Sequence, residues 1–154
     1  MIDSIDLKIL KILQDKARIP NVEVARQVGM APSGVLERIR KLEKQGIIDG
    51  YEVRLNPLRF SRNLVAFVTV AVEGQDGERH AGKTLAALPE VQEVHYVAGE
   101  DAFLVKVRVS DTAELGHLVR NKIAAFRGVR TTRTTIVLST YKETARIPIE
   151  EMQS

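Results

Sequence analysis

The stretch "PSGVLERIRKLEK", residues 32–44, carries Arg38, Arg40, Lys41 and Lys44, a hydroxyl at Ser33, a carboxylate at Glu37 and no side chain at Gly34. These are residue types that recognise a polyanion with a patterned surface. A guanidinium donates two parallel hydrogen bonds to guanine O6 and N7 or to a phosphate, a hydroxyl serves either, and a carboxylate accepts from cytosine N4. In this stretch Arg38 is the candidate for bidentate guanine readout, Arg40 at the edge of the same face suits phosphate, and Gly34 admits close approach of a duplex. A charged helix face that is merely solvated is the competing reading. The elements around it decide between them.

A second group of residues suits a small zwitterion. "YVAGEDAF" places Tyr96, Ala98, Gly99, Glu100, Asp101 and Ala102 together, two acids beside a flexible glycine, and "RTTRTTIVL" supplies Thr131, Thr132, Thr134 and Thr135. Acids pair with an ammonium group, and threonine hydroxyls with a carboxylate or backbone. The plainer readings are an acidic hairpin turn, threonines favoured in a strand for their branching, and Tyr96 as a core residue.

Other chemistry is excluded or unsupported. The chain has no cysteine, which removes disulfides, thiolate metal sites and a cysteine nucleophile. His80, His95 and His117 do not fall at a metal-ligand spacing, so no metal and no cofactor is expected. The N-terminus lacks the apolar core of a leader, and no apolar run approaches the roughly 18 residues of a membrane span; a soluble, cytoplasmic protein is expected. The net charge of +3 is small but uneven: residues 1–60 hold 11 Lys and Arg against 8 Asp and Glu, while the remainder is balanced. The excess lies in the part that contains the basic stretch.

The elements that position these residues are legible from periodicity. Ile5, Ile9, Leu10, Ile12 and Leu13 at helical spacing predict a first helix capped by Asp3 or Ser4. "NVEVARQVG" predicts a short second helix with Asn21 as N-cap and Gly29 as its stop. Pro32 suits the first position of a third helix running to Lys44 or Gln45, where Gly46 ends it. Its apolar side is Val35, Leu36, Ile39 and Leu42; Ser33, Gly34, Glu37, Arg38, Lys41 and Lys44 face away. Asp49-Gly50 amid alternating residues predicts a two-stranded hairpin over 47–55. Three helices, a tight turn at Gly29 and a hairpin make a winged helix-turn-helix over residues 1–57.

After a linker at 58–63, with room for one helical turn, the order strand, helix, strand, strand, helix, strand runs from Leu64 to Lys142, with Pro89, Asp111 and Gly128 marking helix ends. This βαββαβ order is the ferredoxin-like arrangement. The second domain is expected to span 64–154, its tail "RIPIEEM" adding a short edge strand. The fold class is thus α+β in two domains.

The stretches "IDLKILKILQDKARIPNVEVARQVGMAPSGVLERIRKLEKQGIIDGY", "VAGEDAFLVKV" and "TTRTTIVL" together resemble the Lrp/AsnC (leucine-responsive, feast/famine) transcriptional regulators. The resemblance covers essentially the whole chain, and "LERIRKLEKQGIIDGY" is its most specific part. It implies a sequence-specific regulator that binds double-stranded DNA, is not an enzyme, and carries an effector-binding ferredoxin-like (RAM) domain. It further implies that the sheets pair into dimers, often assembled into tetramers or octamers, and that a small molecule, commonly an amino acid, binds between dimers and shifts assembly and DNA occupancy. Two positions depart from the pattern. Ala31 stands where a capping serine is common, and Ala102 where the effector loop has a second aspartate. Asp101 or Glu100 would then supply that charge, or the site uses backbone groups, takes another ligand or is silent. A few relatives, the siroheme decarboxylases, are enzymes; that reading needs His95, Arg108, Arg130 and Arg133 to converge. A ligand-binding module without DNA binding is the third reading, opposed by the intact basic face.

Overall fold

The computed structural model describes residues 1–150, and at Gln75 and Asp76 the backbone alone. The chain divides into two compact units, residues 1–54 with 143–154, and residues 55–142. The first is helical: α1 (Ser4–Asp15), α2 (Asn21–Val28) and α3 (Pro32–Lys44). Asp3 caps α1 with its side chain and Asp6 reaches back to the Asp3 N–H, a reciprocal capping box. The apolar stripes predicted for each helix meet in one core of Ile9, Val24, Ala25, Val35 and Ile39. Burying side chains of this size contributes about 1.5–3 kcal/mol each for the larger ones, which holds together helices too short to persist alone. Gly29 ends α2 at φ +72, a conformation that glycine takes without steric cost, and turns the chain into α3.

Three local expectations are corrected in this unit. Asn21 is the first helical residue of α2 and not its cap; the extended Pro20 precedes it, and its carbonyl accepts from the Glu23 and Val24 N–H groups. The hairpin over 47–55 does not form, and no strand occurs there. A two-residue turn of the required type needs positive φ at both central residues, and neither Asp49 nor Gly50 has it. Instead the Ile47 and Ile48 N–H groups bond to the Leu42 carbonyl, and the Tyr51 hydroxyl donates to Glu43 at 2.9 Å, laying the segment back on α3. The tail, expected with the second domain, groups with the first. Gln14 exchanges two 2.9 Å hydrogen bonds with the backbone of Ile147, and Arg146 pairs with Asp15 at 3.1 Å. No strand forms over 146–150, and the last two residues of the predicted tail strand lie outside the described residues.

The second unit opens with a single 3-10 turn, Pro57–Phe60, capped by Asn56. It continues as β1 (Leu64–Val72), α4 (Gln75–Ala86), β2 (Val91–Val97), β3 (Ala102–Val109), α5 (Thr112–His117) and β4 (Val129–Ile136). The predicted βαββαβ order holds, and the antiparallel sheet has strand order β2-β3-β1-β4. Asp111 caps α5 as expected. The predicted continuation of α5 widens into a π-helical turn at Leu118–Ile123, which sets residues five apart on one side and so seats both Leu118 and Ile123 in the core. One sheet face carries Ala66, Val68, Val70, Phe103, Val105, Val107 and Val109 against Ala81, Leu85, Leu115 and Leu118 of the helices. Val65, Phe67, Thr69, Leu104 and Lys106 alternate onto the other face, away from the helices of that core, and Val65 and Lys106 are buried there.

Candidate functional site

Helix α3 presents the predicted two-sided character. Val35 and Ile39 are buried against α1 and α2, Leu42 is buried as well, and Ser33, Glu37, Arg40, Lys41 and Lys44 are exposed. Ala31 precedes the helix in the extended conformation of an N-cap, with no side-chain cap, and Pro32 follows as its first residue. Gly34 is half-buried, and a Cβ there would lie 3.0 Å from the Met30 methyl. Its lack of a side chain therefore also serves the turn that packs Met30 against the core.

Arg38 is the exception on this face. Its Nη1 donates to Asp3 Oδ2 at 2.7 Å and to Asp6 Oδ1 at 2.8 Å, joining α3 to the start of α1. The remaining oxygens of these acids are spent on the capping box: Asp3 Oδ1 accepts from the Ile5 and Asp6 N–H groups, and Asp6 Oδ2 from the Asp3 N–H. The Asp3 carboxyl is held below its ordinary pKa, first by the Asp6 N–H and then by Arg38, and the two carboxylates raise that of Arg38. Asp6 is only 9% exposed. Asp3 was legible as a helix-start signal; nothing local in the sequence marks it or Asp6 as a partner of Arg38.

In the second unit, residues 98–101 form the turn between β2 and β3, with Gly99 at φ +94 and Asp101 at φ +48. Aspartate tolerates that left-handed conformation better than most residues. The register separates the candidate effector residues. Tyr96 lies opposite Phe103, and Thr132 and Thr134 opposite Val70 and Val68, all on the helix-covered side. Ala102, Thr131 and Thr135 fall on the opposite side, where Ala102 is buried and the two threonines are exposed, since directly paired residues share a face. Tyr96 packs edge-on against Phe103, ring centroids 5.2 Å apart. Burial and then the negative charges of Asp101 and Glu78 raise its phenol pKa. Glu100 pairs with Arg133 at 3.4 Å, so one of the two acids offered for an ammonium already has a cation beside it, while Asp101 is exposed. Tyr96 and Thr132 are three strands apart, roughly 14 Å at the usual strand spacing. One chain thus does not gather Tyr96, the loop and the threonines into a single pocket.

The alternative cluster does not converge either. His95 and Arg133 lie in one cross-strand row but at opposite edges, again roughly 14 Å apart. His95 is engaged by Glu93 at 3.0 Å, and Arg108 bonds to Gln92 at 3.1 Å near the other end of β3. Among the described residues no group of acids and histidines is arranged to hold a metal, and no helix is long and apolar enough to cross a membrane.

Comparison with known proteins agrees with this architecture. Residues 2–49 match the winged helix-turn-helix DNA-binding family model, and residues 65–147 the Lrp/AsnC ligand binding domain. A leucine-responsive regulatory protein of Haemophilus influenzae is 39% identical over 145 residues, covering 93% of this chain and 87% of that protein. A transcriptional regulator of Neisseria meningitidis, solved in complex with L-Met, superposes with a TM-score of 0.94 at 28% identity, over 99% of this chain and 100% of that one. A feast or famine regulatory protein of Mycobacterium tuberculosis, complexed with L-methionine, gives a TM-score of 0.88 at 32% identity, over 97% and 100%. With a helical reading head of this geometry, a ferredoxin-like second unit and both halves matched, the chain belongs to the Lrp/AsnC family of DNA-binding transcriptional regulators.

Proposed function

We propose that this chain is a homo-oligomeric regulator that binds operator DNA through α3 and changes its occupancy in response to an amino acid. The observation that carries the DNA reading is the exposed face of Ser33, Glu37, Arg40, Lys41 and Lys44 on a helix whose opposite side is anchored in the core. Ser33, Gly34 and Glu37 stand in the first turns, the part of a recognition helix that meets base edges, while Arg40, Lys41 and Lys44 take phosphates.

The effector reading rests on the 98–101 turn with Tyr96, Ala102, Thr132, Thr134 and Thr135. Because these residues are split between two faces, the site is completed by further copies of the chain. Phe67 and Leu104, half-buried on the sheet face away from the helices of the core, support a second copy packing there. The methionine bound to the two solved relatives makes a small apolar amino acid the first ligand to try. The relatives are named as transcriptional regulators, and with His95 and Arg133 apart we read the protein as acting by binding and not by catalysis.

The test is an anisotropy titration of the DNA upstream of the protein's own gene against scrambled duplex at moderate salt, with and without each common amino acid. Preference for the upstream DNA, altered by one ligand, is expected. Equal affinity for both duplexes would sink the reading. Light scattering on the same samples gives the oligomer; a monomer at all concentrations would remove the shared effector site.

A further inference from the structure

We propose that Arg38 is a positioning residue of the DNA-reading helix, holding α3 to the N-terminus of α1 through Asp3 and Asp6, and that it does not read a base. The inference rests on the DNA-binding reading above and reverses the role that residue type and position suggest for Arg38.

Three features of the geometry lead there. All four carboxylate oxygens of Asp3 and Asp6 are spent, one from each acid on the capping box of α1 and one from each on Arg38, so the network is closed. Asp6 is nearly buried, and a buried carboxylate deprived of its cation is costly, so the structure resists releasing Arg38 to a base. Arg38 is also half-buried, its side chain 28% exposed, on a face where Arg40, Lys41 and Lys44 are exposed. Arg38 thus ties α3 to the start of α1 and offsets one of the two negative charges that would otherwise repel a phosphate backbone.

A base reader and a positioning residue respond differently to substitution. The protein is first used to select preferred duplexes from a random library; the affinities of the full-length chain and of Arg38→Ala, Arg38→Lys and Asp6→Asn for the preferred and a scrambled duplex are then compared, with the thermal midpoint of each free protein. Arg38→Ala is expected to weaken binding to both duplexes by the same factor, roughly tenfold or more, leaving the base preference intact. Arg38→Lys should recover most of that loss, since one ammonium can replace one nitrogen but cannot reproduce the guanine fork. Asp6→Asn removes a negative charge near the reading helix and on charge alone would tighten binding; it should weaken it instead. If Arg38→Ala does not fold, Arg38→Lys and Asp6→Asn carry the test.

Loss of preference at one base pair in Arg38→Lys, or unchanged or tighter binding by Asp6→Asn, overturns the proposal while leaving DNA binding standing. Failure of the unsubstituted protein to prefer any duplex overturns the DNA reading, and this role with it.

Discussion

Substituting Ala31 by serine should stabilise the free protein, and the size of the gain follows from the start of α3. Ala31 already has N-cap backbone angles, φ −70 and ψ 146, so serine there needs no rearrangement. Its carbonyl accepts from the Gly34 and Val35 N–H groups at 3.0 and 3.2 Å. Pro32 has no N–H to satisfy, which leaves that of Ser33 without an intrahelical partner. A serine hydroxyl at the cap accepts from the second or third helical N–H and contributes about 0.5–2 kcal/mol. Because residues 31–33 are exposed and water already serves the free donor, the lower half of that range applies, about 0.5–1 kcal/mol. For a unit of this size the midpoint should rise by about 2–8 °C in calorimetry or circular dichroism.

The same substitution bears on DNA. If a phosphate occupies the donor that serine would take, the gain in the free protein is forfeited on binding. Affinity should then fall by up to about fivefold for 1 kcal/mol. An unchanged or lower midpoint refutes the capping argument. A raised midpoint with tighter DNA binding refutes the phosphate at the helix start.

Three further outcomes are expected. Gly29→Ala should cost about 1–2 kcal/mol by thermal unfolding, because a Cβ there meets no atom within 4 Å and the penalty is that of a left-handed backbone alone; Gly29→Asn should cost less, and equal costs would point elsewhere. Arg40→Ala and Lys44→Ala should each weaken preferred and scrambled duplexes alike and flatten the salt dependence of log K by about one unit, a change that a solvated, non-contacting side chain would not produce. Glu23 is held at about 2, first by its hydrogen bond from Arg26 and then by Gln27, against an ordinary 4.5. A depressed carboxyl stabilises the fold above its unfolded value and loses that contribution as pH falls through its folded one. The stability difference between the protein and Glu23→Gln should therefore shrink between about pH 4.5 and 2, and a difference that grows on acidification would contradict it.

What the sequence by itself determined about this protein are the features set within a few residues of one another. Pro32 and Gly46 bound α3, Gly29 stops α2, Asp3 and Asp111 cap their helices, and the apolar spacing assigns each buried face. These depend on local dihedrals and on a period of 3.6 or 2, so a single segment contains them. The order βαββαβ follows for the same reason.

Only the tertiary structure decided what depends on distant partners. Arg38 meets acids 35 and 32 positions away because α1 and α3 pack together, a pairing that no spacing within α3 announces. The hairpin expected at Asp49-Gly50 gave way to hydrogen bonds running back to Leu42, a choice made by the end of α3 and not by the dipeptide. The threonines of β4 stand in two adjacent pairs in the sequence, and the register against β1 is what puts Thr132 and Thr134 on the helix-covered face and Thr135 on the other. A strand's period names two faces; only its neighbour determines which of them meets the core.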